Sequence, residues 1–546
     1  MTGFWARPLT PLAIAALAVT ACSGGDEDTQ PPAPAEVTIR GPAFDVGSPT
    51  VAHLAWGPSV VEAAHARVRA SALPLEQAAG MVLVAAWNST DPAGAAALVA
   101  NEHLAGVILM GDAIDSREQV MATTSAIATA AAADHRWWPA IISTDQEGGP
   151  VARLRGLGPD LPAFMAAGSA TDAESVTAAY AAQARDMAQL GFTVVWAPIA
   201  DVTVGASDAT IGVRSAGTDP TQVGQTVVAA MEGFLSAGVM PSAKHFPGHG
   251  SVAADSHVAL PVQTASLDTL AARDFAPFAA AIDHGIPMVM TGHIAVSEWG
   301  SAPATTAPAA YDYLRHNLDF TGVAVTDAMN MAGVTDLYGP GAAEVAALAA
   351  GADLILMPRD PALARQAIIT AVTDGTLPRS RLDEAVGRVA LMMEWQEALS
   401  VQADRAPVDA GYARTAAATW ATVSSPSCGG RLVADSVTLR GGWPAEREIL
   451  AQALAEHGIG EGGGTSVLLL GSGQGSGTAD VVVAMDAPWG LPASTATTYV
   501  GLYGRSADAL RGLADVLAGA VAPGGTWAIP GMPPACADNA LAGRNG

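Results

Sequence analysis

A chain of 546 residues is too long for one ordinary hydrophobic core, and with 50% hydrophobic and 14% charged residues it is globular rather than disordered. Its formal net charge of -26 argues against binding the phosphate backbone of nucleic acid, because nothing offsets the long-range repulsion. Two domains are expected, one of them large enough to be a barrel, with neutral or locally steered ligands.

At the N-terminus, Arg7 precedes a short apolar run from Leu9 to Ala21. The run is too brief to span a bilayer and has the form of a signal peptide's apolar region. It ends in Val19-Thr20-Ala21-Cys22, which resembles the bacterial lipobox, cleaved before a cysteine that is then lipidated. An ordinary signal peptide with a chance cysteine is the alternative. Residues 1–21 are thus expected to be a signal peptide and 22–50 a tether lipidated at Cys22, since 23–35 hold Gly, Asp, Glu and three prolines and cannot pack. The protein is expected outside the cytoplasm, held to the cell membrane by its lipid.

From about residue 75 to 360, short apolar runs alternate with longer Ala-rich helical patterns. The runs are Met81 to Ala86, Gly106 to Met110, Ala140 to Thr144, Thr193 to Ala197, Val239 to Ala243, Pro287 to Thr291, Gly322 to Thr326 and Asp353 to Met357. Segments such as Glu174 to Leu190, Pro220 to Ala237, Leu267 to His284 and Gly341 to Ala350 have helical composition and length. Eight such units predict an α/β fold closed as a (β/α)₈ TIM-type barrel over 51–398, with functional residues on the loops after the strands. Asp145 follows the third run, Arg214 lies in the connection after the fourth, Lys244 and His245 follow the fifth, His293 the sixth and Asp327 the seventh. Residues singled out for their chemistry therefore fall on one face.

Residues 362 to 398 read as helices completing the barrel, 399–407 as a linker, and 408–546 as a smaller α/β domain with strands at Ser466 to Leu470, Asp480 to Met485 and Tyr499 to Tyr503. Gly460 to Gly464 and Gly471 to Gly477 match neither a P-loop nor a dinucleotide fingerprint and read as flexible loops. An oxidising compartment would let Cys428 and Cys536 form a disulfide; two buried thiols are the alternative.

The densest chemistry lies in Ser242-Ala-Lys-His-Phe-Pro-Gly-His-Gly250, followed by Asp255-Ser-His257, which gathers three of the 11 histidines and holds the only lysine, Lys244. A composition that otherwise uses Arg has kept one ammonium here, a point charge that a planar guanidinium does not replace. Asp255 can fix the tautomer of His257 and raise its basicity, leaving the other ring nitrogen to give and take a proton. A loop histidine satisfied by its neighbour is the plainer reading of an isolated Asp-x-His. Asp327 directly follows an apolar strand, where a carboxylate serves as nucleophile or base, or as a helix N-cap. Asp145-Gln-Glu-Gly-Gly149 with Arg153, and Ile211-Gly-Val-Arg214-Ser215, set acceptors and guanidinium forks beside glycines, an arrangement suited to gripping sugar hydroxyls, with a surface cation as the plainer reading of either arginine alone. The histidines match no zinc spacing and no metal site is expected.

Taken in order, Asp-Gln-Glu-Gly-Gly with Arg153, Ile-Gly-x-Arg-Ser with Asp219-Pro220, Lys-His-Phe-Pro-Gly-His-Gly, Asp-Ser-His with Leu260-Pro261, and Thr-Asp-Ala-Met resemble glycoside hydrolase family 3, most closely its bacterial β-N-acetylglucosaminidases. The resemblance spans about residues 73 to 398, and the second domain is similar to the α/β sandwich of longer members. It implies Asp327 as nucleophile, His257 as general acid/base with Asp255 as its partner, and Asp145, Arg153, Arg214, Lys244 and His245 as sugar-binding residues. Two positions depart from the common pattern, Ser251 in place of Asp and Ala216 in place of Phe; neither change removes a catalytic group.

The implied activity is retaining, exo-acting hydrolysis of terminal N-acetylglucosamine from peptidoglycan fragments, through a covalent glycosyl-Asp intermediate, by a monomer without cofactor. The alternatives are a phosphorylase or a β-glucosidase of the same family, or a non-catalytic sugar-binding lipoprotein.

Overall fold

The computed structural model describes residues 52–252, 254–404 and 406–538. The expected signal peptide over 1–21, the expected lipid attachment at Cys22 and the expected tether over 22–50 lie outside the described residues. Among the described residues no helix is long and apolar enough to cross a membrane.

Eight parallel strands form the first sheet: β1 (Leu83–Trp87), β2 (Gly106–Leu109), β3 (Ile141–Thr144), β4 (Val194–Val195), β5 (Met240–Phe246), β6 (Met288–Thr291), β7 (Val323–Thr326) and β8 (Ile355–Leu356). Each falls on one of the eight apolar runs. Neighbours pair in sequence order from β1 to β7, and β8 pairs with β1 through Leu83↔Ile355 and Val84↔Leu356. Val325↔Leu354 adds a bridge between β7 and the entrance to β8, so the barrel is nearly closed. Strands β2, β3, β5, β6 and β7 are buried at every position, which is why they read as continuous apolar runs rather than alternating ones.

The surrounding helices start where the chain supplies caps. Asp219 accepts hydrogen bonds from the amides of Thr221 and Gln222, with Pro220 at the first turn, and launches Pro220–Ser236. Val223, Val227, Ala230 and Phe234, three or four apart, bury that helix's inner stripe. The helical segment expected over Leu267 to His284 is instead two helices, Leu267–Ala272 and Ala276–Asp283. Pro277 cannot donate a backbone hydrogen bond and sits in the first turn of the second helix, which forces the restart. The last barrel helix runs from Arg379 to Gln402, so the first residues of the expected 399–407 linker are helical.

A second sheet of six strands follows: β9 (Thr422–Ser424), β10 (Ser436–Gly441), β11 (Gly460–Glu461), β12 (Thr465–Leu470), β13 (Val481–Ala484) and β14 (Thr498–Gly501), in the order β9-β14-β13-β12-β10-β11. Only β9 runs antiparallel, and helices Tyr412–Trp420, Pro444–Glu456 and Ala507–Leu517 accompany the sheet. Part of the expected loop Gly460 to Gly464 is thus the edge strand β11, paired with β10 at Ser436↔Gly460 and Val437↔Glu461. Cys428 and Cys536 are disulfide-linked with Cα atoms 5.2 Å apart. Main-chain hydrogen bonds join this region to the barrel, from Ala163 N to Tyr503 O at 2.8 Å and from Thr526 N to Ser169 O at 2.8 Å.

Candidate active site

A cavity of about 370 Å³ opens at the C-terminal ends of the barrel strands. Its wall contains Asp145, Arg153, Arg214, His257 and Asp327 from the loops after β3, β4, β5 and β7, together with Lys244 and His245, which follow the fifth apolar run but lie within the last residues of the longer strand β5 itself. Asp255 is not in the wall but is tied to His257. All the lining residues fall between Ile108 and Met357, within the barrel. The second sheet meets the rim indirectly: Gln474 Nε2 donates to Ala206 O at 3.1 Å, steadying the loop that precedes Ile211 and Arg214.

The charged floor is built around Glu147. After β3 the chain forms a short hairpin, Gln146–Gly148 against Val151–Ala152. Gly149 has φ +55°, and a Cβ there would lie 2.5 Å from that of Ala163, so only glycine fits the turn. The hairpin turns Glu147 inward, where Arg214 grips it with both arms, Nε to Oε2 at 2.8 Å and Nη2 to Oε1 at 2.9 Å. Lys244 Nζ lies 2.7 Å from Glu147 Oε1 and 2.8 Å from Asp145 Oδ1. Burial alone would raise the Glu147 carboxyl, but Arg214 and Lys244 outweigh it and hold it at about 2. Burial likewise works against the Lys244 ammonium, yet Asp145 and Glu147 outweigh it and push its pKa up, so the group stays cationic.

Asp201, fully buried beyond β4, organises the end of β5 and the start of the loop after it. Its Oδ2 lies 2.8 Å from His245 Nδ1, and its Oδ1 accepts the backbone amides of His245 at 3.1 Å and His249 at 2.6 Å. Sequence reasoning passed over Asp201; its position three residues beyond Pro198 at the end of the fourth apolar run was the available signal. The Lys244–His245 and Phe246–Pro247 peptide bonds are both cis.

Asp327 stands at the tip of β7, with its backbone amide donating to Thr291 O at 2.9 Å and its Oδ1 accepting from Ala328 N at 2.7 Å. Burial would raise its carboxyl, but His245, His293, the Ala328 amide and Lys244 together hold it at about 2. It is therefore an anion at any pH near neutrality. His293 lies behind it, with Nε2 2.9 Å from Ala328 O and Nδ1 2.7 Å from Thr305 Oγ1. In the same cavity wall, His257 Nδ1 is 2.7 Å from Asp255 Oδ1, which also accepts the His257 amide at 2.9 Å. Asp255 acting as acceptor places the proton on Nδ1 and leaves Nε2 to exchange protons with a ligand. Ser251, one of the two departures, accepts from Gln263 Nε2 at 2.8 Å. Among the described residues no cluster of three or more His, Cys, Asp or Glu is placed to hold a metal ion.

An ionised carboxylate and a carboxylate-oriented imidazole at one cavity, above a floor of fixed charges, suit acid/base-assisted displacement at a polar substrate. Residues 76–392 match the family model described as Glycosyl hydrolase family 3 N terminal domain. Beta-hexosaminidase LpqI of Mycobacterium tuberculosis is 32% identical over 396 residues, covering 71% of this chain and 97% of its own. Beta-hexosaminidase A of Pseudoalteromonas piscicida is 33% identical over 288 residues, 50% of this chain and 48% of its own, so the chain spans about half that relative's length. Among solved structures, a glycoside hydrolase family 3 β-N-acetylglucosaminidase from Paenibacillus sp. str. FPU-7 is similar with a TM-score of 0.74 at 26% identity, over 84% of this chain and 99% of its own. The family match covers more than half of the sequence and takes in the barrel with every charged group of the cavity: the chain is a glycoside hydrolase and belongs to glycosyl hydrolase family 3.

Proposed function

We propose that the protein is a retaining, exo-acting β-N-acetylglucosaminidase that removes terminal N-acetylglucosamine from peptidoglycan fragments. The observation that carries this reading is the pairing, at one cavity, of Asp327 held ionised with His257 whose Nδ1 is engaged by Asp255. Asp327 attacks the anomeric carbon through an oxocarbenium-like transition state while His257 Nε2–H protonates the departing oxygen, giving a glycosyl-aspartate. The same imidazole then deprotonates a water that attacks the anomeric carbon, releasing the sugar with retained configuration and restoring the carboxylate. Asp145, Arg153, Arg214, Lys244 and His245 hold the sugar, the Lys244–Glu147–Arg214 network fixing their places before substrate arrives.

The names of the similar proteins, beta-hexosaminidase and β-N-acetylglucosaminidase, support the choice of sugar. In this reading 51–398 is the catalytic domain, joined through 399–407 to a second domain over 408–546. Lipidation of Cys22 anchors a monomer at the outer face of the cell membrane, where peptidoglycan fragments are the N-acetylglucosamine source. Turnover of N-acetylglucosaminide and glucoside substrates, with and without phosphate, tests the reading. Faster hydrolysis of the N-acetylglucosaminide to free sugar, and release of N-acetylglucosamine from defined muropeptides, supports it. A glucoside cleaved faster overturns the sugar assignment, and a sugar 1-phosphate as product overturns water as the acceptor.

A further inference from the structure

Ser256 lies between the two members of the acid/base pair and behaves unlike either. The Asp255 and His257 side chains are 43% and 63% exposed, whereas Ser256 is 1% exposed. Its hydroxyl lies 3.0 Å from His249 Nε2, and its carbonyl accepts the amide of Gly333 at 3.2 Å. Gly333 begins six residues after Asp327, in the turn of helix Ala332–Thr335. The backbone amide of His249 is in turn held by Asp201 at 2.6 Å. A continuous set of hydrogen bonds therefore runs from the loop after β4, through the loop after β5, to the loop after β7, with Ser256 at its centre.

His249 is 2% exposed, and its ring Nδ1 has no hydrogen-bond partner among the described residues. A proton on Nε2 donating to Ser256 Oγ is the assignment that leaves no buried N–H without an acceptor. Burial lowers the proton affinity of the ring despite Asp201 and so favours the neutral ring. A residue at Gly333 with a Cβ would meet Ser256 O and His293 Cβ at 3.1 Å, so the contact between the two loops is close.

We propose that His249 and Ser256 form a latch that holds the Asp255–His257 pair in register with Asp327, making both of them positioning residues for proton transfer to the leaving group. The inference rests on the reading of His257 as general acid. An exposed loop that carries the acid on an otherwise solvated stretch needs one buried anchor, and displacement of the acid by even an ångström costs rate steeply. Losing the latch therefore harms substrates in proportion to their need for protonation. Leaving groups that depart as stable anions suffer little, and alkoxide-like leaving groups suffer most.

The test is the dependence of kcat/KM on leaving-group pKa across a series of aryl N-acetylglucosaminides, in Ser256→Ala, His249→Ala, His249→Gln and His257→Ala, with thermal unfolding as a check on folding. The latch predicts that Ser256→Ala and His249→Ala lose about tenfold or more on poor leaving groups and little on activated ones, steepening the dependence toward that of His257→Ala. His249→Gln, whose amide can replace the Nε2 donor, restores the wild-type slope. An unchanged slope in folded Ser256→Ala, with all substrates slowed equally or not at all, overturns the latch. If His257→Ala also leaves the slope unchanged, the general-acid reading itself has failed.

Discussion

Glu147 and Lys244 form an ion pair, Oε1 to Nζ 2.7 Å, with their side chains only 2% and 3% exposed. Arg214 occupies Glu147 from the other side with both arms of its guanidinium, so the place left beside the carboxylate suits a compact ammonium. This accounts for one lysine in a chain that elsewhere uses arginine. Lys244→Arg is expected to lower kcat/KM by about 100-fold, since a second planar fork displaces Asp145 and Glu147. Steady-state kinetics on an aryl N-acetylglucosaminide check it, and near wild-type kinetics would contradict the role given to the network.

Asp255→Asn removes the carboxylate that accepts from His257 Nδ1 at 2.7 Å. An asparagine that turns its amide to the ring favours the wrong tautomer, so kcat/KM is expected to fall by on the order of 10² to 10⁴ with fold and melting temperature nearly unchanged. Both groups are well exposed, so stability gives little signal and the rate gives most of it.

Three buried carboxyls, Glu147, Asp327 and Asp353, are held at about 2. Their depressed values mean that their contribution is present above the unfolded-state carboxyl range near 4 and is lost as pH falls toward 2. Unfolding free energy is therefore expected to be flat on this account above about pH 5 and to drop by on the order of a few kcal/mol between about pH 4 and 2. Urea unfolding across that range checks it. Glu147→Gln is expected to show a shallower fall.

Asp353, fully buried at the entrance to β8, accepts from Arg315 at 2.6 Å, Arg381 at 2.8 Å, Arg388 at 3.0 Å and the amide of Ala324 at 3.0 Å. It sits at the end of the barrel away from the cavity. Asp353→Ala leaves three partly buried guanidiniums without their shared partner and is expected to cost about 3–5 kcal/mol. The surviving folded enzyme should keep its KM. A raised KM at unchanged stability would contradict the structural role.

The barrel was legible because strands buried on both faces leave unbroken apolar runs, and the cavity because chemistry clusters after such runs. β10 was missed for the opposite reason. Val437 and Leu439 point inward while Thr438 and Arg440 face out, so a half-buried strand of six residues hides among polar neighbours. Glu147 was visible within its motif, but not its hold on Arg214, 67 residues onward, because that pairing is made by barrel curvature. Asp201 was missed because a buried acceptor of backbone amides has no spacing of its own. The break at 273–275 was missed because Pro277 was read as part of one helix.

The proposed mechanism turns on Asp327 as the nucleophile. Incubation with a slowly turned-over 5-fluoro N-acetylglucosaminyl fluoride, followed by mass spectrometry of the tryptic peptide covering 316–359, tests it most directly. The expected result is one glycosyl adduct on Asp327 that builds up with loss of activity and is absent from Asp327→Ala. An adduct on another residue, or full turnover by Asp327→Ala, would contradict it.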